Sequence, residues 1–283
     1  MLFRSYKNVK TAMAAEIPFG IGQIGKAFRN EITPGHFIFR MREFEQMEQQ
    51  YFVKPEDADR YFEFWKKERM KWYVDLGVKE GGLRFQPHAK EELAHYARAA
   101  EDIQYNFPFG WDEIEGIHNR GDWDLSRHSE FSGEDLSEID DKTGERFYPY
   151  IVETSAGAGR AMLVFMLDAY DDSDKERFIL KLHPKLSPYK IAVFPLLANK
   201  PDLVEKARSI FENLKKDFVA AWDDRGNIGK RYYSQDEIGT PWCVTVDHQA
   251  LEDGTVTVRD RDTAKQERIE VRELKNYFDD KLK

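Results

Sequence analysis

Apolar and polar residues alternate along two short runs between Gly25 and Val53, a pattern typical of strands whose side chains point to opposite faces. The first run places Arg29 and Glu31 on one face. A Thr-Pro-Gly-His turn at 33–36 follows, and its proline and glycine favour a reversal of the chain. The pattern predicts an antiparallel hairpin whose returning strand has five side chains on one face: Arg40, Arg42, Phe44, Gln46 and Glu48.

Helical periodicity is strongest in the next part of the chain. Apolar and aromatic positions among charges predict an amphipathic helix over Glu56–Asp75 and a second helix from Lys90 to about Asn106. Residues 109–128 predict a strand leading into a loop, and 130–146 a polar surface loop. The side chains expected on one face of that strand are Trp111, Glu113, Glu115, Ile117 and Asn119.

A change from strand to helix is predicted within residues 148–170. Glu153 and Ser155 share one face of the strand, and the small residues at 156–159 lead into a helix opened by Arg160. Small residues before a helix N-terminus let a ligand approach the backbone closely. The positive end of the helix dipole would favour an anion there.

Strand and helix patterns alternate after a charged, proline-containing linker at 171–187. We therefore predict two domains, 1–183 and 184–283, in the α/β (α+β) fold class, with an antiparallel sheet first and a compact α/β domain second. The second domain is expected to contain strands at 189–197, 242–246 and 255–259, helices at 202–222 and 271–282, and a cationic turn at 225–232.

Composition narrows the class of protein. The 283 residues are 41% hydrophobic, which is enough for substantial cores. The net charge of -9 argues against a protein that coats nucleic acid, although a local basic surface remains compatible with it. The single Cys243 excludes an intramolecular disulfide. No apolar run reaches membrane-spanning length and no secretory signal begins the sequence, so we expect a cytoplasmic protein.

The charged hairpin has two interpretations. A polar strand face is most often simply solvated. Arg-x-Glu, a turn and Arg-x-x-x-Phe also supply what a nucleotide needs: cations for phosphates, a carboxylate for an amine and a ring for a base. Glu113 and Glu115 suggest Mg²⁺ held between a carboxylate and phosphates. The spacing of His118 and His128 fits no zinc pattern.

The segments FRNEITPG and FRMREFEQME, within residues 28–48, resemble motif 2 of the class II aminoacyl-tRNA synthetases, and in particular the dimeric, single-chain glycyl-tRNA synthetases. Residues 153–160 resemble motif 3 of the same family, and residues 184–283 resemble its C-terminal anticodon-binding domain. The resemblance implies ATP-dependent activation of glycine to glycyl-adenylate and its transfer to the 3′ end of tRNA(Gly). It further implies ATP and Mg²⁺ as cofactors, a homodimer in the full-length form, and no membrane or DNA partner.

The resemblance also implies residue roles. Arg29 and Arg160 are the expected catalytic residues, and Glu113 is the expected metal ligand. The residues expected at ATP are Arg29, Asn30, Glu31, Phe39, Arg40, Arg42, Phe44, Glu113, Ile114, Gly157 and Arg160. Those expected at glycine are Phe44, Gln46, Glu48, Arg120, Glu153, Ser155 and Gly157.

Two departures from the family pattern support an alternative. Motif 1 has no counterpart, so we expect an N-terminally truncated catalytic domain. Gly159 stands where the family usually has Asp, and its loss of a carboxylate could loosen Arg160. These features favour an incomplete fragment or a non-catalytic tRNA-binding relative, whereas the retained arginines and carboxylates favour the ligase. Lys230 and Arg231 are candidate phosphate contacts in the second domain.

Overall fold

Six extended segments pair antiparallel to form the main sheet in the first part of the chain. A computed structural model describes residues 2–89, 91, 93, 97–174 and 177–283. The strands of this part are β1 (Phe19–Phe28), β2 (Glu43–Val53), β3 (Leu83–Pro87), β4 (Ala99–Phe107), β5 (Gly110–Gly121), β6 (Glu138–Ile139), β7 (Arg146–Phe147) and β8 (Tyr150–Gly157). The main sheet has the order β1-β2-β8-β5-β4-β3, and β6 pairs with β7 separately. The helices are α1 (Tyr6–Met13), α2 (Ala58–Asp75), α3 (Trp123–Ser132) and α4 (Ala158–Ala169).

Helix α2 covers one face of the sheet. The ring of Tyr51 on β2 lies 5.1 Å from that of Tyr61 and 5.3 Å from that of Trp65, measured between centroids. Arg69 of α2 donates from Nε to Oε1 of Glu115 on β5, at 2.6 Å. Glu115 is almost fully buried, so this ion pair fixes α2 to the sheet at a position where an unpaired charge would be unfavourable.

The opposite face is apolar at one end only. The cross-strand partners Phe52 and Ile151 are fully buried there. They form a cluster with Phe3, Tyr6 and Leu125, from the N-terminal segment and α3. Further along the same face the side chains become polar, and this change from apolar to polar packing places the candidate site.

Helix α2 confirms the first predicted helix, and Pro55 begins the short 3-10 turn that precedes it. The second predicted helix is wrong over its described end, because 99–107 forms β4. Residues 90, 92 and 94–96 of that prediction lie outside the described residues. Since β4 pairs with β3 on one side and β5 on the other, cross-strand pairing outweighs the helical propensity of the charged run before it.

The strand predicted within 109–128 is confirmed as β5, but the loop predicted after it is wrong because α3 begins at Trp123. The predicted loop at 130–146 contains the short pair β6 and β7. The change from strand to helix within 148–170 is confirmed by β8 and α4.

The later part of the chain contains helices and a five-stranded sheet with both parallel and antiparallel strand pairs, together with a separate two-stranded sheet. The bounds of the strands and helices in this part of the chain are as follows. Its strands are β9 (Tyr170–Asp174), β10 (Arg177–Leu180), β11 (Ile191–Pro195), β12 (Ala220–Trp222), β13 (Trp242–Val246), β14 (Thr255–Asp260) and β15 (Gln266–Glu270). Its helices are α5 (Pro201–Leu214), α6 (Ile228–Ile238), α7 (Gln249–Glu252) and α8 (Leu274–Leu282). The five-stranded sheet has the order β12-β11-β13-β14-β15, with β11 parallel to both of its neighbours.

Several predictions for this part need correction. The linker predicted at 171–187 contains the antiparallel pair β9 and β10. The cationic turn predicted at 225–232 is largely the first turn of α6. The helix predicted at 202–222 is wrong at its end, because α5 ends at Leu214 and 220–222 forms β12. Strand β15 had no predicted counterpart. The α/β (α+β) class itself is confirmed.

The chain divides into two compact units, Met1–Val164 and Phe165–Lys283. The predicted domain boundary at 183/184 stays a prediction. None of the helices among the described residues has the length and apolar character needed to cross a membrane.

Candidate functional site

The hairpin predicted around residue 33 exists, but its loop is longer than predicted. Strands β1 and β2 pair antiparallel from Phe19–Phe52 to Phe28–Glu43, and 29–42 connects them. The reversal occurs at His36 and Phe37, whose φ angles are 52° and 57°, so the turn predicted at 33–36 is wrong. The predicted strand positions of Arg29, Glu31, Arg40 and Arg42 are also wrong, because alternation in the sequence continues beyond the last paired strand residues.

The loop nevertheless places a cation beside an aromatic ring at its base. The backbone N–H of Arg29 donates to the carbonyl oxygen of Arg42 at 2.9 Å, which extends the ladder past β1. The Arg29 guanidinium carbon lies 5.3 Å from the centroid of Phe44, the second residue of β2. Such an arrangement presents one face of a ring and one cation to the same space.

Arg160 reaches the hairpin from the first turn of α4. Its Nη1 donates to the backbone oxygen of Glu113 at 2.6 Å, and its Nη2 donates to that of Phe39 at 3.3 Å. The guanidinium carbon lies 4.1 Å from the centroid of Phe39. Burial lowers the pKa of Arg160, and the nearby charges of Arg29 and Arg40 lower it further, although Glu113 opposes the shift.

These elements line one cleft. The predicted residues that line it are Arg29, Glu31, Phe39, Arg40, Phe44, Gln46, Glu113, Ile114, Ser155, Gly157 and Arg160. The predicted residues that do not line it are Asn30, Arg42, Glu48, Arg120 and Glu153. Arg42 instead donates from Nε to the backbone oxygen of Glu31 at 3.0 Å. The structure thus brings the hairpin arginines and the helix arginine to one cavity.

A bulge in β5 explains why Glu113 faces this cleft. Ile103 and Gln104 are adjacent on β4, but their partners on β5 are Glu115 and Glu113, so Ile114 is an extra residue. The prediction that Glu113 and Glu115 share a face is therefore wrong. Glu113 and Ile114 both line the cleft, whereas Glu115 binds Arg69 on the opposite face of the sheet.

Glu113 is a titratable group whose pKa the cleft shifts. Its side chain is 46% exposed, yet the surrounding protein walls raise its pKa, and the nearby Asp102 raises it further. Arg160 and Arg29 act in the opposite direction without reversing the shift. Its Oε2 lies 3.8 Å from Nη1 of Arg160. A cation bound here would favour the ionised carboxylate.

A second group of polar side chains lies on the same face, beside the cleft. Gln46 donates from Nε2 to Oγ of Ser155 at 2.5 Å. Gln50 donates from Nε2 to Glu48 Oε1 at 2.8 Å and to Glu153 Oε2 at 2.5 Å. These contacts follow from strand pairing, because Gln50 lies opposite Glu153 across β2 and β8. Two carboxylates are held together by one amide.

Arg120 closes this group from β5. Its Nη1 donates to both carboxylate oxygens of Glu153, at 3.3 and 3.1 Å, and its Nε and Nη2 donate to Asp124 at 2.7 and 3.0 Å. Burial alone would raise the pKa of Glu153, but neighbouring His118, Arg120 and Gln50 together lower it. Arg120 and Glu153, predicted to bind the same small substrate, are therefore in direct contact.

Sequence reasoning missed three residues of this group. Gln50 follows Gln46 and Glu48 at the spacing of one strand face, so alternation could have identified it. His118 lies two residues before Arg120 on β5, and its Nδ1 is 3.4 Å from Glu153 Oε1. Asp124 had no signal, since its helix was predicted as a loop. Among the described residues, Gln50 Oε1 and His118 Nδ1 are buried atoms with no hydrogen-bond partner.

Gly116 and Gly159 differ in the space available for a side chain. A Cβ at Gly116 would lie 2.7 Å from Cε1 of His118, so only glycine lets that ring lie against the strand. A Cβ at Gly159 would come no closer than 3.8 Å to Ile38. The packing at position 159 therefore leaves room for the Cβ of a side chain.

In the second unit, the prediction that Arg231 contacts phosphate is wrong for a structural reason. Arg231 is 2% exposed and donates to the backbone oxygens of Arg225, Pro195 and Gly226, at 3.1, 2.5 and 2.9 Å. Its guanidinium is thus bound internally. Lys230 is exposed, and its role stays a prediction.

Comparison with models of known protein families identifies one class of protein. The family model described as "tRNA synthetase class II core domain (G, H, P, S and T)" matches residues 6–169, and the one described as "Anticodon binding domain" matches residues 190–281. The chain belongs to the class II aminoacyl-tRNA synthetase family.

Three curated relatives of this chain are all named glycine–tRNA ligase. A glycine–tRNA ligase of Caldanaerobacter subterraneus subsp. tengcongensis is 52% identical over 100% of this chain and 61% of its own length. The glycine–tRNA ligases of Geobacillus kaustophilus and Thermobifida fusca are 51% and 49% identical over 99% of this chain, and over 61% and 63% of their own lengths. The chain thus spans about three fifths of the length of these relatives.

Proposed function

We propose that this chain carries the ATP- and glycine-binding core of a glycine–tRNA ligase. The observation that carries the proposal is the shared cleft, in which Arg29 and Arg40 of the hairpin face Arg160 of α4. Identity of about half to relatives named glycine–tRNA ligase supports the choice of glycine. Two domains of the chain then have separate tasks, amino acid activation in the first and tRNA recognition in the second.

ATP binding is assigned to the cleft. Arg29 neutralises the α-phosphate, Arg40 and Arg160 hold the β- and γ-phosphates, and the adenine ring lies on Phe44. Three cations suit a triphosphate, because guanidinium groups form charge-assisted hydrogen bonds with phosphate oxygens. Glu31 accepts from the exocyclic amine of adenine, and Gly157 lets the nucleotide approach the backbone. Further contacts are assigned to Asn30, Phe39, Arg42 and Ile114.

Glycine binding is assigned to the polar group beside the cleft. Glu48 and Glu153 bind the ammonium group, which can donate three hydrogen bonds. Gln50 Oε1, an acceptor without a partner among the described residues, adds capacity for such a donor. Ser155 and Gln46 line the path to the ATP cleft, and Arg120 faces the substrate carboxylate. Phe44 and Gly157 are assigned to glycine binding as well as to ATP binding.

Mg²⁺ is compatible with the donors present. Among the described residues, no three His, Cys, Asp or Glu side chains form a ready metal site. Mg²⁺ commonly binds one or two carboxylates together with substrate phosphates, and Glu113 supplies one carboxylate at the cleft. Bound there, the ion would neutralise phosphate charge, and Glu113 would be its protein ligand.

The reaction needs positioning and charge neutralisation more than proton transfer. A glycine carboxylate oxygen attacks the α-phosphorus, the bond to the bridging oxygen breaks, and pyrophosphate leaves. The terminal hydroxyl of tRNA(Gly) then attacks the carbonyl carbon of glycyl-adenylate, and AMP leaves. The anticodon-binding domain would orient the tRNA, and we expect a cytoplasmic enzyme that acts as a homodimer in its full-length form.

Glycine-dependent exchange of labelled pyrophosphate into ATP tests this proposal. We expect exchange with glycine and at least tenfold less with alanine, because attraction discriminates weakly between substrates that differ by one methyl group and the site must exclude that group sterically. Arg29→Ala should reduce exchange by about 100-fold or more, since it removes a cation from the developing charge. Arg84→Ala, which removes an exposed arginine stacked on Trp111, is the control.

The opposite results are equally clear. Exchange that does not depend on glycine would contradict the proposed substrate. ATP binding without any exchange would support the non-catalytic, tRNA-binding relative instead.

A further inference from the structure

The tip of the hairpin has few attachments to the rest of the fold. Within 29–42, Phe39 is the single buried residue, at 4% exposure, while neighbouring Ile32 and Phe37 are 94% and 83% exposed. One isolated bridge, Gly35–Arg40, links the two sides of the tip. A loop with so few buried contacts needs some other restraint to keep Arg40 facing the cleft.

Four rings supply such a restraint, and we call them the aromatic latch. They are His36 and Phe39 of the tip, Phe107 at the end of β4, and Phe109 in the turn between β4 and β5. His36 stacks on Phe109 with centroids 4.1 Å apart, and Phe107 stacks on Phe109 at 4.8 Å. Phe39 meets Phe107 and Phe109 edge to face, at 5.0 and 5.3 Å. The three Phe–Phe pairs have centroid separations of 4.8 to 5.3 Å, which are favourable for aromatic pairs, and the His36–Phe109 stack is closer.

The latch is joined to the helix arginine of the cleft. Arg160 lies on the Phe39 ring, with 4.1 Å from guanidinium carbon to centroid, and donates to the Phe39 carbonyl oxygen. The same guanidinium donates to Glu113 on β5, the strand that follows Phe109. Tip, turn and helix therefore meet at one point, and moving Phe39 would move a partner of Arg160.

We propose that His36, Phe107 and Phe109 are positioning residues that hold the hairpin tip in the arrangement that binds ATP. The inference rests on the proposed function and adds residues that do not line the cleft. If the tip moves away in part of the population, the apparent dissociation constant rises by the inverse of the competent fraction. Each aromatic pair corresponds to a factor of about two to ten in such an equilibrium.

The contact between His36 and Phe109, the outer pair of the latch, is not explained by burial of the two rings. His36 is exposed and Phe109 is 40% exposed, so their stack lies at the surface. Phe37, in the same turn, is far more exposed and is not part of the latch. It offers a control, because Phe37→Ala deletes a phenyl ring, as Phe109→Ala does, but from the part of the tip outside the latch.

Hydrogen exchange on the ligand-free chain tests the restraint without any nucleotide. In Phe109→Ala we expect about tenfold faster exchange at the backbone N–H groups of Phe39 and Arg40, which donate to His36 and Gly35. Phe109→Tyr should restore wild-type protection, and Phe37→Ala should retain it. His36→Asn removes only the outer stack and keeps a residue tolerant of a positive φ, so it should show a smaller effect in the same direction. Unchanged exchange in both Phe109→Ala and His36→Asn would overturn the proposal.

ATP affinity, measured by calorimetry with Mg²⁺ present, tests the link to the site. We expect about tenfold weaker binding in Phe109→Ala, recovery in Phe109→Tyr and no change in Phe37→Ala. Wild-type affinity in Phe109→Ala, with Arg29→Ala weakened, would overturn the latch and leave the proposed function standing. A wild-type chain that binds no ATP would overturn both.

Discussion

Glu113 combines a structural disadvantage with a suitable position for binding a cation. Its pKa is raised by burial and by Asp102, so the ionised form is less favourable in the folded chain than in the unfolded one. The sign follows from linkage: this disadvantage is absent below the ordinary pKa of glutamate and is complete above the raised value. Residues that destabilise a ligand-free fold are often retained for binding.

Glu113→Gln is therefore expected to stabilise the ligand-free chain at pH 7. The gain in unfolding free energy should be only about 0.3 kcal/mol, because the partly exposed carboxylate is screened by solvent. It should vanish near pH 4, close to the ordinary pKa of a glutamate. Urea unfolding at both pH values measures the difference, with Glu45→Gln as the control from the same cleft. Destabilisation at pH 7 by Glu113→Gln would contradict the raised pKa.

At the scale of elements, Arg231 shows how a charged side chain can serve a fold rather than a ligand. It projects from the first turn of α6 and binds three carbonyl oxygens, including that of Pro195 at the end of β11. A lysine is a compact ammonium group and cannot reproduce the planar fork of a guanidinium. The buried carbonyl oxygen of Pro195, left without a donor, would destabilise the second unit.

Arg231→Lys should accordingly lower the unfolding free energy of the second unit by about 3 kcal/mol, since bonds from charged donors are worth about 1.5–3 kcal/mol each. Thermal or urea unfolding measures this loss. Lys230→Ala, an exposed neighbour on the same helix, should change stability by less than about 0.5 kcal/mol. A stable Arg231→Lys variant with weakened tRNA binding would instead restore the phosphate contact expected from sequence.

The elements themselves were predictable where local signals agree. Pro55 and the amphipathic pattern identified α2, and the small residues before Arg160 identified the start of α4. The β4 strand was missed because its identity depends on partners on both sides rather than on its own propensity. The bulge at Ile114 was missed because the sequence pattern itself continues to alternate while the backbone gains a residue.

At the scale of the whole molecule, the candidate site assembles residues from three distant segments. Local patterns and the family resemblance predicted most cleft residues, including Arg29, Glu113 and Arg160. They did not predict Asp124, His36, Phe107 or Phe109, because those side chains matter through partners that only the tertiary structure brings near. The roles assigned to all of these residues stay predictions.

A crystal structure with a non-hydrolysable ATP analogue and glycine is the most direct test that Arg29 and Arg160 bind one nucleotide. We predict guanidinium nitrogens of both residues within about 3.2 Å of oxygens on the same triphosphate, with adenine on Phe44. Phosphates contacted by only one of the two arginines, or a nucleotide bound outside the cleft, would contradict this arrangement.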